Sequence, residues 1–114
     1  MQYALLIYTK PDSLDGLSDA EREAVSAQYG KVTQDPRVIG GEQLMPIDTA
    51  TTVRTDNGRA MTTDGPFADT KEILAGFYLV EADDLDKAID VAARIPATWM
   101  GGSVEVRPIV ERQS

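Results

Sequence analysis

Asp64, Lys71, Glu72 and Arg107, with Tyr8 and Glu42 upstream of them, are the residues of this chain whose types could move a proton or hold a small anion. Asp64 opens the tetrapeptide Asp64-Gly65-Pro66-Phe67, and Lys71-Glu72 follows closely. Asp-Gly before Pro makes a stiff turn, because Gly65 is free to take positive φ while Pro66 fixes its own φ and steers Gly65 away from the helical region. A carboxylate held on such a turn and partly withdrawn from water has a raised pKa and suits general acid or base work. Lys71 or Arg107 would then neutralise an anionic substrate or enolate, and Tyr8 or Tyr78 would donate a proton. Pro66, Phe67, Lys71, Glu72, Arg107, Glu42 and Tyr8 are the candidate ligand contacts. The competing reading is structural: Asp64 caps its own turn through backbone N–H groups, Lys71 and Glu72 form a solvated edge, and Arg107 braces the neighbourhood of Glu105.

Composition narrows the chemistry. The chain has no cysteine and no histidine, which removes thiolate nucleophiles, disulfides, the imidazole base and the commonest metal ligands. No metal or cofactor is expected. The paired carboxylates of Asp83-Asp84-Leu85-Asp86 read as helix capping in preference to a magnesium site, and Lys10 to Leu17 lacks the alternating ligand spacing of a calcium loop. Gly-rich phosphate-binding signatures are absent. A net charge of −8 repels phosphate backbones and anionic lipid, so neither nucleic acid nor a membrane surface is an expected partner. With no apolar run of bilayer length, the expectation is a soluble cytoplasmic protein.

These side chains need a scaffold, and 114 residues supply one domain with one core. Met1 to Thr9 alternates Tyr3, Leu5 and Ile7 with Ala4, Leu6 and Tyr8, a strand apolar on both faces and therefore central. Ser18-Asp19-Ala20-Glu21 is a capping box opening a helix over about Asp19 to Thr33, with the narrow stripe Val25, Tyr29, Val32. Asp35-Pro36 stops it, and Val38 to Pro46 reads as a turn into a second strand, with Gly40-Gly41 as a bend or bulge. Thr51 to Thr55 and Ala60 to Thr63 flank Asn57-Gly58, a hairpin signal. Ile73 to Val80 is a second central strand. Leu85, Ala88, Ile89, Ala92 and Ile95 give a helix ending at Pro96, and Ser103 to Ile109 alternates as a last strand. Glu111 to Ser114 reads as a loose tail.

Without the hairpin, the order is the βαββαβ of ferredoxin-like α+β domains, an antiparallel sheet with two helices on one face. The other face of two doubly apolar strands then needs cover, and a second copy of the chain is the expected partner.

The same residues carry a family resemblance. Asp64-Gly65-Pro66-Phe67 with Lys71-Glu72, the Gly76-Phe77-Tyr78 strand, the Leu85 to Pro96 helix, Gly102 to Ile109, and Gly40-Gly41-Glu42 with Leu44-Met45-Pro46 resemble the YCII-related family, and within it the branch named for the DGPF tetrapeptide. The resemblance implies a homodimeric α/β barrel related to small-molecule enzymes and to many proteins of unassigned role. YCII relatives with proposed activity resemble acid–base enzymes of lyase or isomerase type built on a His and Asp pair; here only the Asp, provisionally Asp64, is present. Asp69 stands where the branch usually has Glu. Members of the branch are often found beside extracytoplasmic-function sigma factors, which implies an alternative role as a non-catalytic accessory or regulatory module.

Overall fold

The computed structural model describes residues 1–68 and 70–111, so the substitution at Asp69 and the end of the expected tail lie outside the described residues. The chain is α+β, in the order β1 (Gln2–Thr9), α1 (Asp19–Thr33), β2 (Val38–Gln43), β3 (Thr51–Asp56), β4 (Arg59–Asp64), β5 (Ile73–Glu81), α2 (Leu85–Ala92) and β6 (Ser103–Pro108). β1 and β5 lie at the centre of a four-stranded sheet of order β2-β5-β1-β6, every neighbouring pair antiparallel. The doubly apolar patterns of β1 and β5 predict that central position, and the sheet bears it out.

Register decides what each face carries. Tyr3, Leu5 and Ile7 lie opposite Val80, Tyr78 and Gly76 on one side and Pro108, Val106 and Val104 on the other. This is the core face. Leu5 is fully buried, and so are Val32 of α1, Ala88 and Val91 of α2, and Ile95. At about 1.5–3 kcal/mol per large apolar side chain withdrawn from water, this shared cluster holds both helices to one side of the sheet. The opposite face carries Ala4, Leu6, Tyr8, Phe77 and Leu79, all half-buried.

Local chemistry sets the helix ends. Ser18 accepts from the Glu21 N–H and Glu21 Oε1 accepts from the Ser18 N–H, each at 3.1 Å, so the capping box is complete. The same pairing holds the Glu21 carboxyl below its usual pKa. Asp84 caps α2 by accepting from Lys87 N–H at 3.0 Å, as its carboxylate cluster predicts. α2 ends at Ala92, earlier than the apolar spacing through Ile95 implies. The cause is Pro96, which drives Ile95 into extended backbone (ψ 125°) and opens a short 3₁₀ turn over Pro96–Trp99. Ile95 is buried all the same, carried into the core by the irregular segment. β2 ends at Gln43, short of the expected Val38 to Pro46 segment, since Pro46 leads into another 3₁₀ turn at Ile47–Thr49.

β3 and β4 pair only with each other, as a separate two-stranded sheet turned at Asn57 (φ 50°) and Gly58. Nearly every residue of the hairpin is exposed, including Val53 and Met61. The molecule consequently measures 46 × 46 × 18 Å, with a radius of gyration of 16.1 Å against about 13 Å for a compact globule of this length.

One polar node fixes the corner between α1 and β2. The Asp35 side chain is 7% exposed and receives Arg37 Nη2 at 2.9 Å, Arg37 Nε at 3.1 Å, the Arg37 backbone N–H at 2.8 Å, and Arg94 Nη2 from beyond α2. Arg37 also donates to Lys87 O at 3.2 Å. The hydrogen bond from Arg37 is the main reason the Asp35 carboxyl titrates well below the ordinary carboxylate range.

Candidate functional site

A cleft of about 730 Å³ opens between α1 and the β2–β5 side of the sheet. Glycines make the room for it. Gly41 and Gly76 fall on the core face, opposite Tyr78 and Gln43 respectively, so the floor of the cleft is bare backbone where its neighbours carry side chains. They also have no alternative: a Cβ on Gly76 would lie 2.8 Å from Glu42 O, and one on Gly41, which has φ of 142°, would lie 2.9 Å from Tyr78 Cα. The bulge foreseen at Gly40-Gly41 is present, as a register shift between Val38 and Gly40.

The roof is one face of α1. Arg22, Ser26, Tyr29 and Thr33 recur at i, i+4, i+7 and i+11 and line the cleft together with Val25. The narrow stripe Val25, Tyr29, Val32 therefore divides its work: Val32 is fully buried in the core, while Val25 and Tyr29 are half-buried on the cleft wall. Tyr78 rises from the floor, donating to Tyr29 O at 3.2 Å and sharing a 3.2 Å hydrogen bond with Thr33 Oγ1. Burial, then the neighbouring Tyr78 hydroxyl, pushes the Tyr29 phenol above its usual pKa. Ser13 and Leu14 of the β1–α1 loop, and Ala97, Met100 and Gly102 of the segment before β6, complete the lining. Such a cavity, mostly apolar with a few hydroxyls and one arginine, has the size and lining of a site for a small organic molecule.

Most of the residues singled out from sequence lie elsewhere. Asp64 ends β4 on the projecting hairpin and is exposed rather than partly buried, because both sides of that hairpin face solvent. Its turn is held by other groups: Gly65 N–H donates to Ala50 O at 2.7 Å, and Thr52 Oγ1 donates to Gly65 O at 2.8 Å. Among the described residues the Asp64 side chain makes no hydrogen bond. Pro66 and Phe67 are exposed, Phe67 at 77%. Lys71 is exposed, and Glu72 accepts from Ser103 Oγ at 3.3 Å. Tyr8 sits opposite Leu74 and Ser103 on the open sheet face, near Glu72. Arg107 shares that face but lies opposite Ala4, four residues along β1 or about 13 Å away, in an exposed 3.9 Å pair with Glu105. Of the residues singled out, Glu42 and Tyr78 alone border the cleft, although Phe77, the register partner of Glu42, turns its side chain toward the open face. Motif and composition do not single out Arg22, Ser26 and Thr33 as site residues, yet their helical spacing along α1 is a signal that the sequence contains.

Comparison with known proteins finds relatives along nearly the whole chain. The family model described as YCII-related domain matches residues 1–113. An uncharacterized protein of Rhizobium meliloti is 38% identical over 114 aligned residues, covering 96% of this chain and 92% of the relative. No helix among the described residues is long and apolar enough to cross a membrane. With the match running from the first strand to beyond the last, the chain belongs to the YCII-related family.

Proposed function

We propose that this protein is a homodimeric small-molecule-binding domain of the DGPF branch, ferredoxin-like in topology, whose binding site is the cleft between α1 and the glycine floor. The observation that carries it is the cleft itself, a cavity of about 730 Å³ roofed by hydroxyls and apolar side chains. The strand order supports the ferredoxin-like reading. Between the two roles the resemblance implies, the geometry favours binding over acid–base catalysis by Asp64, since Asp64 is exposed on the hairpin and does not line the cleft.

A metabolite screen tests both points. Wild type should be stabilised by a small subset of ligands, and Ser26→Trp, which plugs the roof, should abolish those shifts. Asp64→Asn should melt within about 0.5 kcal/mol of wild type, the range for an exposed substitution away from special features, and keep the ligand profile. A loss of turnover of about 10²-fold or more in Asp64→Asn, on any ligand found, would restore the catalytic reading.

The dimer rests on two surfaces that one copy leaves bare: the sheet face of Leu6, Phe77 and Leu79, bordered by Leu74 at 44% exposure, and the hairpin with Val53 and Met61. A lone two-stranded hairpin is marginal in water, and both surfaces find cover in a second copy by symmetry. Light scattering should give twice the 12.4 kDa chain mass, and Phe77→Glu should convert the protein to monomer. A wild-type monomer at micromolar concentration would remove the dimer and the barrel with it.

A further inference from the structure

Resting on the cleft reading above, we infer that the cleft selects a monocarboxylate with an apolar body, held by Arg22. Of the residues lining the cleft, Arg22 and Glu42 alone carry formal charge. Glu42 is the register partner of Phe77, on the far face of the sheet, so it does not neutralise an arginine on the roof. Arg22 is anchored by one donor, Nε to Leu17 O at 3.5 Å, and no acidic side chain pairs with it among the described residues. That leaves both terminal nitrogens unpaired among the described residues, on a side chain that lines a mostly apolar cavity, and a planar fork of this kind grips a carboxylate through two parallel hydrogen bonds.

The surroundings set the charge of the ligand. Asp19 and Glu23 flank Arg22 on α1, Asp12 and Asp15 lie in the adjoining loop, and the chain carries −8 overall. A phosphate dianion would meet one cation and a repulsive field, and at the α1 N-terminus the capping box already occupies the Ser18 and Glu21 N–H groups while the Asp19 and Glu21 carboxylates stand in the first turn. A single negative charge is what one arginine balances. Val25, Leu14, Ile7 and Met100 then face the body of the ligand, and the Ser26 and Ser13 hydroxyls give it polar contacts.

The test is calorimetry and chemical-shift mapping with aryl and aliphatic monocarboxylates, among them phenylpropionate and decanoate, each beside its neutral amide. Wild type should prefer the acids by at least ~10-fold, the scale of one charge-assisted contact, with shifts at Arg22, Ser26 and Gly76. Arg22→Gln should erase the preference by weakening acid binding at least ~10-fold, far more than it weakens amide binding, and Arg22→Lys should restore part of it. Equal binding of acid and amide, indifferent to Arg22→Gln, would overturn the carboxylate inference and leave the cleft reading standing. Failure of wild type to bind any acid or amide of the panel would overturn this inference, and unaltered binding in Ser26→Trp would overturn the cleft reading itself.

Discussion

Asp35→Ala is expected to destabilise the fold by about 3 kcal/mol, lowering the melting temperature by about 10 °C. Removing a buried partner from an ion pair costs about 3–5 kcal/mol when the charge left behind stays buried. Here the two guanidiniums are 34% and 41% exposed and regain water, which places the loss at the low end. The carboxylate also organises backbone, because it receives the Arg37 N–H and so shapes the corner into β2. Asp35→Asn should lose nearly as much, as an amide presents two donors to a node that supplies only donors.

The acid dependence has a definite sign. Asp35 has a folded pKa depressed below its ordinary value of 3.8, so its stabilisation is complete above that value and drains away as pH falls toward the folded one. Melting curves of wild type and Asp35→Asn should be well separated at pH 7 and converge as pH drops below about 4. A separation absent at pH 7 would show that the node does not stabilise the fold, and one that persists unchanged into strong acid would show that its charge does not.

This node also marks what sequence carries and what it withholds. Alternation in Met1 to Thr9 and Ile73 to Val80 is enough to centre both strands, and Ser18 with Glu21 or Asn57 with Gly58 act within a few residues of themselves, so they are legible wherever they stand. Asp35 meets Arg94 across 59 residues of chain, and nothing local to either residue announces the other. The candidate site was misplaced for a related reason. Asp64-Gly65-Pro66-Phe67 is conspicuous as a motif because its backbone is constrained, and that constraint is spent on a turn tied by Thr52 and Ala50. The cleft is made by an omission, two glycines on one sheet face beneath a helix whose apolar stripe is too narrow to seal against the sheet. Only once β2 is registered on β5 do Gly41 and Gly76 fall on the core face together.

Gly41→Ala should cost about 3 kcal/mol or more, well above Gly65→Ala. Two penalties act at once. The backbone at Gly41 has φ of 142°, a conformation L side chains rarely adopt, with a cost of about 1–3 kcal/mol. The added carbon would also drive into Phe77 O and lie 2.9 Å from Tyr78 Cα; neither is the end of a flexible side chain, so β2 must move away from β5, at about 1–3 kcal/mol more. Gly65→Ala separates the two terms. Gly65 has φ of 98°, but nothing lies within 4 Å of its Cβ position, so it should lose only the conformational share, about 1–2 kcal/mol. Because β2 is an edge strand, Gly41→Ala should show its loss first as fast amide exchange along Val38–Gln43, with β1 still protected. A Gly41→Ala protein that melts no lower than Gly65→Ala, with β2 protection intact, would mean that the strand seam yields freely and that these glycines are there for the cleft alone.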